Sequence, residues 1–224
     1  MNGAPALKPA RQVSAGEPIV VVGPPPRYVS RAGAKLERAL EVFTVDPSGA
    51  LCLDAGSSTG GFTDCLLQHG ADRVIAVDVG TGQLHDRLRR NDKVEVHEQT
   101  DIRRFTLNRP DPDIGSLNGV DVLVADLSFI ATSRLLSTFA ALLNPSGHAL
   151  VLVKPQFEAG RAEVSKGRGI IDDRAIWVRV LHAFIDEAAA CDLPVINLAI
   201  SPIRGGKGNV EFLAHLRHRD ILSR

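Results

Sequence analysis

Most devices that place a chain at a membrane or outside the cell are missing from these 224 residues. Cysteine occurs three times, at Cys52, Cys65 and Cys191, an odd number with no C-x-x-C pair. That pattern reads as buried, reduced thiols and excludes a disulfide framework. The seven histidines form no H-E-x-x-H and no metal-ligand cluster stands out, so no metal is expected. No apolar run could span a bilayer, and no charged-then-apolar leader is present. A cytoplasmic protein with no membrane partner is the expectation. An excess of one charge is also lacking: Lys+Arg and Asp+Glu number 26 each. No overall field therefore draws the chain to nucleic acid, and any basic surface must be local. Hydrophobic residues make up 44%, a globular content at a length suited to one sizeable core.

The most informative stretch is Leu51-Cys52-Leu53-Asp54-Ala55-Gly56-Ser57-Ser58-Thr59-Gly60-Gly61-Phe62-Thr63-Asp64. A short apolar run ends in an acid, passes through small residues and enters an amphipathic segment. This is how a buried strand turns into a helix. Glycine there permits positive φ or lets a ligand approach the backbone, and the helix N-terminus offers free N–H groups. An ordinary βα turn would read the same way. Twenty-four residues beyond Asp54, the run Arg73-Val74-Ile75-Ala76-Val77-Asp78 ends in a second acid. In nucleotide-binding α/β folds an acid at that place takes ribose hydroxyls, so NAD is one candidate. However, the turn lacks G-x-G-x-x-G and shows no pyrophosphate grip. A cofactor with a positive charge and no phosphate suits it better, and S-adenosylmethionine is that cofactor.

Residues 1–26 are rich in Pro, Ala and Gly, which predicts a flexible arm with one short extended piece over 18–22. Residues 27–224 are then the folded domain. Ser30 can cap a helix whose Leu36, Leu40 and Phe43 share one face, with Arg31, Lys35, Glu37 and Arg38 on a solvated one. Strands are predicted over 50–54, 73–78, 94–97, 120–126, 149–153, 195–201 and 209–216. Helices are predicted over 61–69, 83–90, 135–143 and from Asp172-Asp173 onward. Residues 105–118 read as a surface loop, Asn144-Pro145-Ser146-Gly147 as a helix stop, and 158–169 as a mobile loop. Strands alternate with helices until the last two, which only a loop joins. The fold class expected is therefore α/β and Rossmann-like, with a seven-stranded, mostly parallel sheet whose last strand is antiparallel. That is the arrangement of class I S-adenosylmethionine-dependent methyltransferases. Asp54, Asp78, Asp101, Asp126 and Lys154 all fall at C-terminal strand ends, where such sheets bind ligands.

Methyl transfer from a sulfonium is an in-line displacement, and a hydroxyl acceptor must also lose its proton. Lys154 at a buried strand end is a candidate base. Burial, the sulfonium and a second lysine would favour its neutral form, and Asp126 with a further carboxylate could order it. A lysine at a strand end can also simply snorkel to solvent.

Six segments in order resemble the TlyA (hemolysin A) family of the FtsJ/RrmJ-like methyltransferases. They are Tyr28-Val29-Ser30-Arg31-Ala32-Gly33-Ala34-Lys35-Leu36, the turn from Asp54 to Asp64, Ala76-Val77-Asp78-Val79-Gly80-Thr81-Gly82-Gln83-Leu84, Ala125-Asp126-Leu127-Ser128-Phe129-Ile130, Val153-Lys154-Pro155-Gln156-Phe157-Glu158 and Gly208-Asn209-Val210-Glu211-Phe212. The resemblance runs from about Arg27 to the C-terminus. It implies S-adenosylmethionine-dependent 2′-O-methylation of ribosomal RNA, with ribosomal RNA or a ribosomal subunit as partner. The family's Lys-Asp-Lys-Glu tetrad falls on Lys35, Asp126, Lys154 and Glu211, which moves Lys35 off the solvated face. By the same resemblance Asp54, Gly56, Ser57 and Gly60 line the methionine end of the cofactor, with Phe62 either beside them or in the core. Asp78 then holds the ribose hydroxyls, Asp101 and Ile102 border the adenine, and Asp126 serves both cofactor and tetrad. Phe129 and Phe157 are a stacking platform for a base or part of the core.

One departure keeps alternatives open. Relatives of this kind carry an N-terminal S4 RNA-binding domain, and here only the residues 18–27 resemble its last strand and linker. A small-molecule O- or N-methyltransferase built on the same core is the second reading. A cofactor-binding protein without catalysis is the third, disfavoured by the complete tetrad.

Overall fold

The computed structural model describes residues 12–20, 25–107, 110–111, 115–116 and 119–219. Seven strands form one sheet: β1 (Leu51–Ala55), β2 (Arg73–Val77), β3 (Val94–His97), β4 (Val120–Ala125), β5 (Leu143–Val153), β6 (Val195–Ile200) and β7 (Phe212–Leu216). Their order is β3-β2-β1-β4-β5-β7-β6. All neighbours pair in parallel except β7, which is antiparallel to both β5 and β6. This is the expected fold class. The helices are α1 (Ala32–Phe43), α2 (Gly61–Gln68), α3 (Asp86–Arg89), α4 (Leu136–Leu142), α5 (Pro155–Glu158), α6 (Arg161–Lys166) and α7 (Arg174–Ala190).

The central strands are continuous apolar runs because helices cover both faces. Alternate side chains go to opposite layers. Leu53, Leu123 and Val151 meet Phe139 of α4 and Phe184 of α7 on one face. Cys52, Val124 and Leu152 meet Leu36 and Leu40 of α1 and Phe62 and Leu66 of α2 on the other. Each buried leucine or phenylalanine contributes about 1.5–3 kcal/mol. The parallel register sets Ala55 beside both Val77 and Ala125. Gly56, Asp78 and Asp126, the residues that follow, therefore leave the sheet at one level.

Several elements depart from the sequence reading. The strand β5 begins at Leu143, and residues 144–147 form a bulge within it, because Val120 pairs with Leu143 while Val122 already pairs with His148. Asn144 Nδ2 donates to Asp121 Oδ1 at 2.8 Å across this irregularity. The helix expected over 83–90 shrinks to α3, since Glu98 accepts from Gly82 N and Gln83 N at 2.8 and 3.0 Å and holds those residues in a turn. Residues 158–169 include the short helix α6 and the end of α5 rather than an open loop. Pro155 sits in the first turn of α5, where its missing N–H costs nothing, and Glu163 takes the Gly160 N–H at 3.3 Å. The helix α1 starts at Ala32, with Ser30 Oγ accepting from Ala32 N at 3.3 Å. Within 105–118, Pro110–Asp111 and Gly115–Ser116 pair as a two-stranded antiparallel ladder. Of the expected arm, residues 1–11 and 21–24 lie outside the described residues; residues 18–20 form no regular element.

Tyr28 is buried in the core, and its ring lies over Gly33 of α1, where a Cβ would come within 2.4 Å of the ring. In an open helix Gly33→Ala would gain about 1 kcal/mol. Here overpacking of the Tyr28 ring reverses the sign, so the expected result is a loss of about 1–3 kcal/mol in urea unfolding.

Candidate active site

Four charged side chains meet where the strands end. Lys35 Nζ on α1 lies 2.6 Å from Glu211 Oε2, ahead of β7, and 3.4 Å from Asp126 Oδ2, just beyond β4. Lys154 Nζ, after β5, lies 2.5 Å from Asp126 Oδ1 and donates to the Leu127 carbonyl at 2.8 Å. Lys35, Lys154 and Glu211 are all buried. Two ammonium groups face two carboxylates, so the cluster is charge-balanced, and removing one member leaves an uncompensated buried charge at a cost of about 3–5 kcal/mol. Gln156 Nε2 approaches Glu211 Oε1 at 3.5 Å. Gly205 leaves room for this carboxylate, because a Cβ there would sit 2.5 Å from Glu211 Oε1.

Two cavities open on either side of Asp126. One, of about 490 Å³, is lined by Lys35, Lys154, Gln156, Phe157 and Glu211. The other, of about 710 Å³, is lined by Asp78, Asp101, Ile102, Leu127 and Ile130. Gly56, Ser58, Asp126, Ser128 and Phe129 border both. Phe129 is 94% exposed, with its ring 5.9 Å from that of Phe157.

The turn after β1 assigns its residues different tasks. Gly56 has φ +82°, and a Cβ on it would meet Leu127 Cδ2 at 2.9 Å and the Asp126 carbonyl at 3.2 Å. Ser57 and Phe62 line the smaller cavity, and Phe62 also belongs to the core. Gly60 lines neither cavity; its φ of +94° and its contact with Leu88 and Leu84, at 2.3 and 2.8 Å from an ideal Cβ, serve the packing of α3. Asp54 lines neither cavity and is fully buried beneath the turn. Its Oδ2 accepts from Thr63 N and Thr63 Oγ1 at 2.9 and 2.7 Å, while Oδ1 has no partner. Burial pushes the Asp54 carboxyl up to about 7; the Thr63 donors pull against this, and Asp126 and Asp78 add to it.

Asp78 accepts from Ser58 N and Gly80 N at 2.8 and 2.7 Å, which ties the turn to the end of β2. Asp101 accepts from Arg103 Nε and Nη2, and the Arg103 guanidinium holds its carboxyl down at about 2. Ile102 follows it, buried in the cavity wall. Sequence reasoning passed over Thr63, Gln156, Gly205 and Asn209 as site residues. Asn209 accepts from Ile171 N at 2.8 Å and donates to the Gly169 carbonyl at 2.9 Å. Its partners lie far along the chain, so only the folded arrangement reveals them. Thr63 did carry a signal: a hydroxyl in the first turn of a helix that follows an acid-ended strand.

A seven-stranded sheet of this order, with a carboxylate-rimmed cavity at its strand ends, defines a Rossmann-like S-adenosylmethionine-dependent methyltransferase. More particularly, the chain belongs to the FtsJ-like methyltransferase family, whose profile matches residues 28–218. It is 44% identical over 209 residues to YqxC of Bacillus subtilis, provisionally labelled an rRNA methyltransferase, covering 93% of this chain and 72% of that one. It is 40% identical over 218 residues to the Mycobacterium tuberculosis 16S/23S rRNA (cytidine-2′-O)-methyltransferase TlyA, covering 97% and 79%. A solved Streptococcus thermophilus structure, provisionally labelled a hemolysin, superposes with a TM-score of 0.80 at 43% identity, covering 89% and 70%. No helix among the described residues is long and apolar enough to cross a membrane, and no group of metal-ligating side chains occurs among them.

Asp54 makes a pH signature. The unfolded chain releases this proton near 3.8, whereas the folded chain keeps it to about 7. Folding therefore takes up a proton in that window, and this group's contribution to stability falls as pH rises through it. Asn at this position can still accept from Thr63 and cannot ionise. The melting temperature of Asp54→Asn, relative to the unmodified chain, is expected to rise between about pH 5 and about pH 8 in scanning calorimetry. A constant difference contradicts the assignment.

Proposed function

We propose that the chain methylates a ribose 2′-hydroxyl in ribosomal RNA, using Lys35, Asp126, Lys154 and Glu211 as its catalytic cluster. The observation that carries this reading is the contact chain from Glu211 through Lys35 and Asp126 to Lys154, set between two cavities. The name of the Mycobacterium tuberculosis relative supports the substrate class. Residues 27–224 are taken as the methyltransferase domain and 1–26 as an arm.

The larger cavity fits S-adenosylmethionine. Its volume is in the range of small-molecule sites. Its walls are apolar at Ile102, Leu127 and Ile130, and the Asp78 carboxylate keeps lone pairs free for a diol after accepting two amides. Asp78 would hold the ribose, Asp101 and Ile102 the base, and Gly56 and Asp126 the amino-acid end, which would reach Ser57 at the edge of the smaller cavity. The resemblance also assigns Asp54, Gly60 and Phe62 to that end. Asp54 and Gly60 would act from below, by shaping the turn, and Phe62 from the core side. When bound, this cofactor supplies an electrophilic methyl group on a sulfonium.

The chain's own groups handle the proton. Lys154 Nζ, once its ammonium has released one proton to water, takes the proton of the acceptor hydroxyl, and the ammonium so restored keeps its bonds to Asp126 and the Leu127 carbonyl. Lys35, held by Glu211, fixes the other Asp126 oxygen and so the direction of Lys154. The exposed Phe129 ring beside Phe157 offers a face on which an unstacked base can rest. Arg31, Arg168, Arg204 and Lys207 are exposed and can meet phosphates.

A small-molecule acceptor is the second reading, favoured by the zero net charge. Incubation with tritiated cofactor and separate pools of ribosomal subunits, total RNA and metabolites decides between them. Label in RNA, with binding that weakens steeply as salt rises, supports the first reading; label only in metabolites refutes it. Lys154→Ala is expected to slow transfer at saturating cofactor by about 10²–10⁴-fold, well beyond the few-fold loss of cofactor affinity expected from freeing Asp126 and the Leu127 carbonyl. Near-normal turnover in this variant would mean that Lys154 is not the base.

A further inference from the structure

After Asp126 the chain crosses between the two cavities through Leu127, Ser128, Phe129 and Ile130, then enters a 3₁₀ turn at Thr132–Leu135. This crossing has no regular hydrogen-bonded structure of its own. At its centre Phe129 has φ +69°, a left-handed conformation that the Cβ of an aromatic residue disfavours. Such strain persists only where the surroundings hold the segment at both ends.

One short stretch supplies the hold. Lys154 Nζ takes the Leu127 carbonyl at 2.8 Å, at the near end. The Phe157 ring lies against Phe129 in the middle. At the far end Glu158 Oε1 accepts from Thr132 N at 2.6 Å and Ser133 N at 3.3 Å. Thr132 Oγ1 in turn donates to the Leu152 carbonyl at 2.9 Å, on the strand that leads to Lys154. Burial raises the Glu158 carboxyl above its ordinary range while the Ser133 and Thr132 donors oppose the rise.

We propose that Glu158 is a positioning residue whose carboxylate holds the wall shared by the two cavities, and so sets both cofactor affinity and acceptor placement. Glu158 lines neither cavity itself and reaches them through the 127–131 crossing, and only its acceptor side rests on the function proposed above. A plain helix cap would lend stability alone. The wall predicts more: loss of the carboxylate lets the crossing relax and deforms the rim of both cavities at once.

Calorimetric titration of the full chain with S-adenosylhomocysteine, well below the melting temperature, tests the cofactor side without any acceptor. Glu158→Ala is expected to weaken binding at least about fivefold, through the loss of the part-buried bonds to Thr132 N and Ser133 N. Glu158→Gln is expected to stay within about twofold, because its amide oxygen still accepts both N–H groups. Equal affinity in all three proteins, with only a lower melting temperature for Glu158→Ala, overturns the proposal. On RNA, single-turnover transfer should fall at least about tenfold in Glu158→Ala, and the same change should cost under about twofold in a Phe129→Ala background. Additive losses overturn the acceptor half. If the unmodified chain transfers no methyl to RNA, the proposed function fails, and the calorimetry still decides the role of Glu158.

Discussion

Two lysines and two carboxylates can be buried together only if each charge faces an opposite one, and the active end of this fold is arranged around that requirement. Lys35, Asp126, Lys154 and Glu211 come from a helix, two parallel strand ends and the approach to the antiparallel strand. None could be satisfied by its neighbours in sequence. The sheet order β3-β2-β1-β4-β5-β7-β6 makes the meeting possible. It puts β4, β5 and β7 side by side, while α1 lies on the face that β5 and β7 share with α2. Because β7 runs backwards, its beginning rather than its end lies at the site, and Glu211 enters from the opposite chain direction.

The glycine-rich turn after β1 is less a ligand cradle in itself than a joint where three packing demands coincide. Gly56 lets the Asp126–Leu127 backbone pass close by, Gly60 admits Leu84 and, from α3, Leu88, and Gly61 admits Ser30, whose Oγ lies 2.2 Å from where a Cβ would be. Asp54 holds the joint from below through Thr63. The residue that first suggested a cofactor is thus hidden from both cavities. The acids at the surface of the larger one are Asp78, Asp101 and Asp126.

Much of the fold was legible because apolar runs and strand-end acids are local patterns. The positions of β1, β2 and β4 follow from runs that need both faces covered, and the antiparallel last strand follows from a connection without a helical pattern. Misreadings came where a distant partner overrode a local signal. Residues 144–147 do follow the end of α4 at Leu142, as a helix stop should, but they also form a bulge inside β5, because β4 holds both sides of it. Glu98 gathers amides from residues 82 and 83 and cuts short the expected helix. Lys35 looks like part of a charged helix face until Glu211, far along the chain, is brought to it.

By itself, the sequence determined the alternation of strands and helices, the acids that end the strands and the family to which those motifs are similar. These depend on residue type and short spacing, which survive in one dimension. Only the tertiary structure decided which charges are paired, that Asp54 lies beneath the turn rather than in a cavity, and that one short stretch after β5 grips the wall between two cavities. Those outcomes depend on burial and on contacts between remote segments. Burial turns a polar side chain from a solvated group into one that must find a partner.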